Sequence, residues 1–198
     1  VWQLAPFTLT DPYRTVVDIA RTSAFRYALG YVDGLAREYG VEREELRAYA
    51  QANCRGLHGI ARAFDVFENM DGRSDNGGES EARAAMILAG VAAPELQVEI
   101  TRPGNAGYYL ADYGWQMPNG SWMLAELHGL GKFEDDAQND PEHAAAKTYR
   151  DALVRDANLR AMGHNVIHFK LSETYDVKAF GSMMRGYGIP TTKPYADS

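Results

Sequence analysis

The stretch from Tyr109 to Lys132, YLADYGWQMPNGSWMLAELHGLGK, constrains the fold of this chain more than any other. It reads as two strands joined by a tight turn, with Asp112 on the first and Glu126 on the second. Side chains alternate along a strand, so the loop decides whether the two carboxylates share a face. A two-residue Asn119-Gly120 turn would set Tyr113 opposite Glu126 and send Asp112 to the other face. The sequence Met117-Pro118-Asn119-Gly120-Ser121 favours a three-residue loop. Proline suits the second position of a type I turn, and glycine suits the left-handed residue that follows. Met117 then faces Ser121, Asp112 faces Glu126, and His128 joins the same face.

Like charges directly opposed across two strands cost up to about 1 kcal/mol. A hard divalent cation such as Mg²⁺, which takes carboxylate oxygens, would relieve that repulsion. The plainer alternative points one carboxylate at solvent and makes the hairpin a sheet edge.

Four segments occur in order between residues 77 and 170: GGESEARAAMILAGVAAPELQVEI, YYLADYGW, LAELHGLGKF and VRDANLRAMGHNVIHFK. With the spacing Asp112…Glu126-x-His128-Gly129, this ordered set resembles the PD-(D/E)XK nuclease superfamily. More narrowly, it is similar to the small domain related to very-short-patch mismatch repair endonucleases, also found in abortive-infection type IV antitoxin-like proteins. The resemblance implies an α/β, restriction-endonuclease-like core of a helix, a three-strand meander, a helix and a strand, here preceded by a helical N-terminal region. It implies Mg²⁺, or Mn²⁺, held by Asp112 and Glu126 with Glu79 as a further ligand; Glu81 is the alternative if the register shifts by two. The superfamily's lysine is replaced by His128, and Lys132 could swing back into its position. Gln97 would lie near the site, and Arg155-Asp156 opens the last motif. Gln97, Lys147, Arg150 and Arg155 are the candidate contacts to nucleic acid, expected to be DNA. The implied activity is metal-dependent hydrolysis of phosphodiesters. The alternative is a nuclease scaffold kept for binding or regulation in an antitoxin or phage-defence protein.

Each of these residues also has an ordinary explanation. Acidic residues such as Glu79 and Glu81 complement a helix N-terminus, charges on a long helix mark a solvated face, and a strand glutamine is common.

The rest of the chain bounds these readings. A formal net charge of −7 argues against a broad electrostatic grip on a phosphate backbone. One cysteine, Cys54, excludes an internal disulfide and fits a reducing cytoplasm, the expected location. No run of about 18 apolar residues is present, so no membrane helix is expected. Neither an H-E-x-x-H pair, a G-x-S-x-G elbow nor a phosphate-binding G-x-x-x-x-G-K-[ST] loop occurs.

Helical spacing predicts four helices in residues 1–72, beginning where Thr10, Asp11 and Pro12 form a start signal. DGRSDNGG, at 71–78, is the clearest break. A nuclease-like core over 73–185 and a Gly/Pro/Thr-rich tail over 186–198 complete the expected organisation. The opening Val1-Trp2-Gln3-Leu4, without Met, predicts an upstream part in a longer protein.

Overall fold

The computed structural model describes residues 2–128, 141–193 and 195. The chain is mixed α/β and divides into two compact units, residues 1–88 with 194–198, and residues 89–193.

The first unit begins with a short antiparallel pair, β1 (Trp2–Leu4) and β2 (Phe7–Leu9), which the sequence did not announce. Five helices follow: α1 (Pro12–Thr22), α2 (Phe25–Tyr39), α3 (Arg43–Asn53), α4 (Ile60–Glu68) and α5 (Gly77–Leu88). The cap of α1 is Asp11, whose carboxylate accepts the N–H of Arg14 at 2.9 Å, with Pro12 in the first turn. Val17, Phe25, Leu29, Val32, Leu46, Val66 and Phe67 are fully buried in one core. The free thiol of Cys54 is buried there too. Between α3 and α4, residues 54–59 turn on themselves, and α4 starts at Ile60 after its N-cap Gly59.

An ion pair ties α2 to α5. Arg83 Nη2 donates to both carboxylate oxygens of Asp33, at 2.9 and 2.7 Å, and Arg83 Nη1 donates to the Asn69 carbonyl. Asp33 also accepts the N–H of Asp71 at 2.9 Å, which fixes the start of the polar 71–78 connector. α5 thus belongs to the first unit, which runs to Leu88.

The second unit is a four-stranded mixed sheet in the order β3 (Glu95–Thr101), β4 (Tyr108–Gln116), β5 (Trp122–His128) and β6 (Asn165–Lys170). The first three strands form an antiparallel meander, and β6 lies parallel to β5. A parallel neighbour requires a crossover, and α6 (Pro141–Ala161) lies in that connection. Leu159 of α6 packs with Val98, Ile100, Ala111, Leu124 and Val166. Beyond β6, a 3-10 turn over Leu171–Thr174 leads to α7 (Val177–Gly186), and the tilted rings of Tyr113, Phe169 and Phe180 pack in sequence. The segment expected as a tail returns to the unit. Ala92 donates to the Pro190 carbonyl, Thr192 donates to that of Gly90, and Ile189 is buried. No helix among the described residues is long and apolar enough to cross a membrane.

Candidate functional site

The β4–β5 loop has the three-residue form. Gly120 donates to the Met117 carbonyl at 2.9 Å, Met117 donates to that of Ser121 at 2.8 Å, and Gly120 has φ +82°. The pairs run from Gln116↔Trp122 to Tyr113↔Ala125, and one further step of that register would set Asp112 opposite Glu126.

The faces obey a less regular rule. Ala111 and Tyr113 would share a face if alternation were unbroken, yet Ala111 clusters with Leu124 and Val166 while Tyr113 packs against Phe169. Leu124 pairs with Gly114, so it points away from Tyr113, whose partner is Ala125. Alternation is thus interrupted at Asp112. The matching residue on β3, between the pairs Leu96↔Tyr113 and Val98↔Ala111, is Gln97, whose φ of +53° is rare for a residue other than glycine. Such local departures re-aim a strand side chain. The Asp112 carboxylate turns to β5 and accepts the N–H of Leu127 through Oδ2 at 2.9 Å.

Glu126 meets a different set of partners. Its Oε1 is ion-paired with Nη2 of Arg155 on α6. Its Oε2 lies 3.9 Å from Nδ1 of His168, the residue level with it on β6. His168 Nε2 is 2.9 Å from Asp156 Oδ2, which Arg160 also approaches. The His128 ring stacks on that of His168, with centroids 4.8 Å apart and planes at 16°. Burial pushes the Glu126 carboxyl up from its ordinary value; the charges of Arg155 and His168 pull against it, and that of Asp112 adds to the rise. The His128 imidazole is held below its usual value, first by burial, then by the charges of His168 and Lys170. Arg155 also donates to the Leu110 carbonyl, and the Tyr109 ring beside it is held by Asn158 and faced by Arg102.

The other expected site residues are distributed as follows. Glu79 belongs to the first unit, where its carboxylate accepts from the Asp75 N–H and from Asn76 Nδ2, both at 2.8 Å, at the start of α5. Glu81 is paired with Arg26 at 2.7 Å. Gln97 is half-buried at the irregularity in β3. Arg150 is exposed on α6. Lys132 and the side chain of Lys147 lie outside the described residues. Arg155 is turned onto the sheet.

Two Mycobacterium tuberculosis proteins resemble this chain: "Uncharacterized protein Rv2248" of strain H37Rv and "Uncharacterized protein MT2308" of strain CDC 1551. Each is 36% identical over 106 residues, which is 54% of this chain and 38% of the relative. The match therefore spans well under half the length of those relatives. No family model matches the chain, and no solved structure does.

Whether a divalent ion suits these residues is decided by the donors. Asp112 and Glu126 present hard carboxylate oxygens on the paired strands β4 and β5. Around them, Asp156 Oδ1 and His168 Nδ1 are buried without a hydrogen bond, and Glu126 Oε1 has the Arg155 ion pair but no aligned hydrogen bond. Among the described residues no three His, Cys, Asp or Glu side chains converge as a ready ligand set. Mg²⁺ is commonly bound through one or two carboxylates with water completing the shell. Asp112 and Glu126 are the residues that would supply those carboxylates, with Asp112 Oδ2 already accepting the Leu127 N–H and Glu126 Oε1 already paired with Arg155.

His168 and Asp156 are the members of the cluster whose roles sequence reasoning missed. The signal was present in the NVIHFK strand and in the Arg155-Asp156 step, but their meeting depends on the β5–β6 register.

Proposed function

We propose that residues 89–193 form the site-bearing part of a metal-dependent endonuclease-like domain that hydrolyses nucleic-acid phosphodiesters. One observation carries the reading: just past the last β4–β5 pair, Tyr113↔Ala125, the Asp112 carboxylate binds the Leu127 N–H beside Glu126, whose own carboxylate is buried among Arg155 and His168. The chain order of α5, the meander β3–β5, α6 and β6 is also the order that the PD-(D/E)XK resemblance implies.

A bound Mg²⁺ or Mn²⁺ would supply an acidified water and charge stabilisation at phosphorus. The chain's own residues do the rest. Asp156 holds His168 Nε2 and so aims Nδ1 at Glu126. The stack on His168 orients the exposed His128 ring at the end of β5. Its lowered pKa keeps that imidazole neutral at pH 7, ready to accept a proton in the lysine's stead.

A second reading has its own support. The Arg155–Glu126 ion pair already neutralises a carboxylate that a metal needs, as expected of a nuclease scaffold retained for binding or regulation in an antitoxin or phage-defence protein.

Cleavage of DNA and RNA with Mg²⁺ or Mn²⁺ separates the two. The enzyme reading expects activity that Asp112→Asn abolishes and His128→Ala reduces by roughly 10²–10⁴. Metal-dependent cleavage absent from the wild type, or undiminished in Asp112→Asn, would leave the scaffold reading.

A further inference from the structure

Glu126 has a side chain 15% exposed and carries its charge between two strands and a helix. A buried carboxylate needs a nearby cation or must take up a proton. Among the described residues that cation comes from α6, as the guanidinium of Arg155.

Arg155 has contacts besides Glu126, although the same Nη2 serves both Glu126 and the Leu110 carbonyl. It donates to the Leu110 carbonyl on β4, and its guanidinium carbon lies 6.0 Å from the centre of the Tyr109 ring. Those anchors keep the side chain against the sheet if Glu126 is taken by something else. A divalent ion at Glu126 would meet a full positive charge already in contact with the same carboxylate, and like charges at such distances repel strongly where water is sparse.

We infer that Arg155 is a tethered counter-cation that competes with a divalent metal ion for Glu126, releasing the carboxylate when the ion binds while staying hydrogen-bonded to Leu110. This inference rests on the metal-dependent reading above. It assigns Arg155 a positioning role: it compensates Glu126 in the metal-free protein and weakens metal affinity. Apparent affinity is reduced by the fraction of molecules whose site is not free to bind.

The test is Mn²⁺ binding by calorimetry to the wild type, Arg155→Gln, and Arg155→Gln with Glu126→Gln. Glutamine keeps a polar amide on the same carbon stem and removes the charge, though it is too short to reach the Leu110 carbonyl as Nη2 does. The expected result is binding at least about tenfold tighter in Arg155→Gln, a gain that the added Glu126→Gln erases. Binding by Arg155→Gln that equals or falls below that of the wild type overturns the counter-cation role and leaves the metal reading standing. Binding by neither overturns both. If Arg155→Gln does not fold, hydrogen exchange at Arg155 Nη2, the atom that pairs with Glu126, decides the matter in the wild type. Saturating Mg²⁺ should accelerate it as the ion pair opens, and an unchanged rate overturns the inference.

Discussion

His164 Nδ1 accepts the backbone N–H of Trp122 at 3.2 Å, joining the turn after α6 to the first residue of β5. An accepting ring nitrogen carries no proton, and burial holds the His164 pKa below its ordinary value of 6.5. The folded protein therefore binds this proton less readily than the unfolded chain. Its contribution to stability is complete above about pH 6.5 and is lost as pH falls from there toward the lowered folded value. The melting temperature should drop between pH 7.5 and 5, and His164→Gln should flatten that slope. His128 shifts in the same direction, so part of the slope will persist. Identical slopes in the two proteins would show that this bond does not sense pH.

Asp112 should reveal two separable functions. Its Oδ2 satisfies the Leu127 N–H, a bond that an asparagine carbonyl can also accept. Asp112→Asn should therefore stay close to wild-type stability in urea unfolding. Asp112→Ala should lose about 1–3 kcal/mol, because a part-buried donor is left without a partner. Equal stability of the two variants would mean that water replaces the carboxylate without cost.

The pair Asp33–Arg83 should be unforgiving of single changes. Asp33 is fully buried, and burial pushes its carboxyl up from the ordinary value even with Arg83 pulling against it. Asp33→Ala would strand the guanidinium and lose the acceptor for Asp71, at a cost of about 3–5 kcal/mol. The double change Asp33→Leu with Arg83→Met should recover much of that loss, since no charge is then left buried. Chemical denaturation of the three proteins checks this; a double variant no more stable than Asp33→Ala alone would refute it.

What the sequence disclosed was local. Pro118 and Gly120 specified the loop through backbone preferences that act within five residues, and the hairpin register followed from them. Gly163 follows α6 with φ +88°, a backbone conformation that favours glycine. The side on which Asp112 emerges was not legible. Nothing in LQVEI marks Gln97 for a positive φ, and nothing in YLADYGW marks the break opposite it. His168 was illegible for a different reason. Its neighbour Glu126 is reached only through a parallel register set by packing beyond a whole helix, and periodicity within either strand cannot report that.

The parallel pairing of β6 also orders events in time. The β3–β4–β5 meander closes short loops, whereas β5 and β6 join residues roughly forty apart, and loop closure becomes less favourable with separation. As the chain leaves the ribosome, the hairpin bearing Asp112 and Glu126 emerges before Arg155 and His168 exist to neutralise it. For that interval Glu126 is an ordinary solvated carboxylate. A ribosome-stalled chain ending before Arg155 should therefore present the hairpin without the partners that α6 and β6 bring.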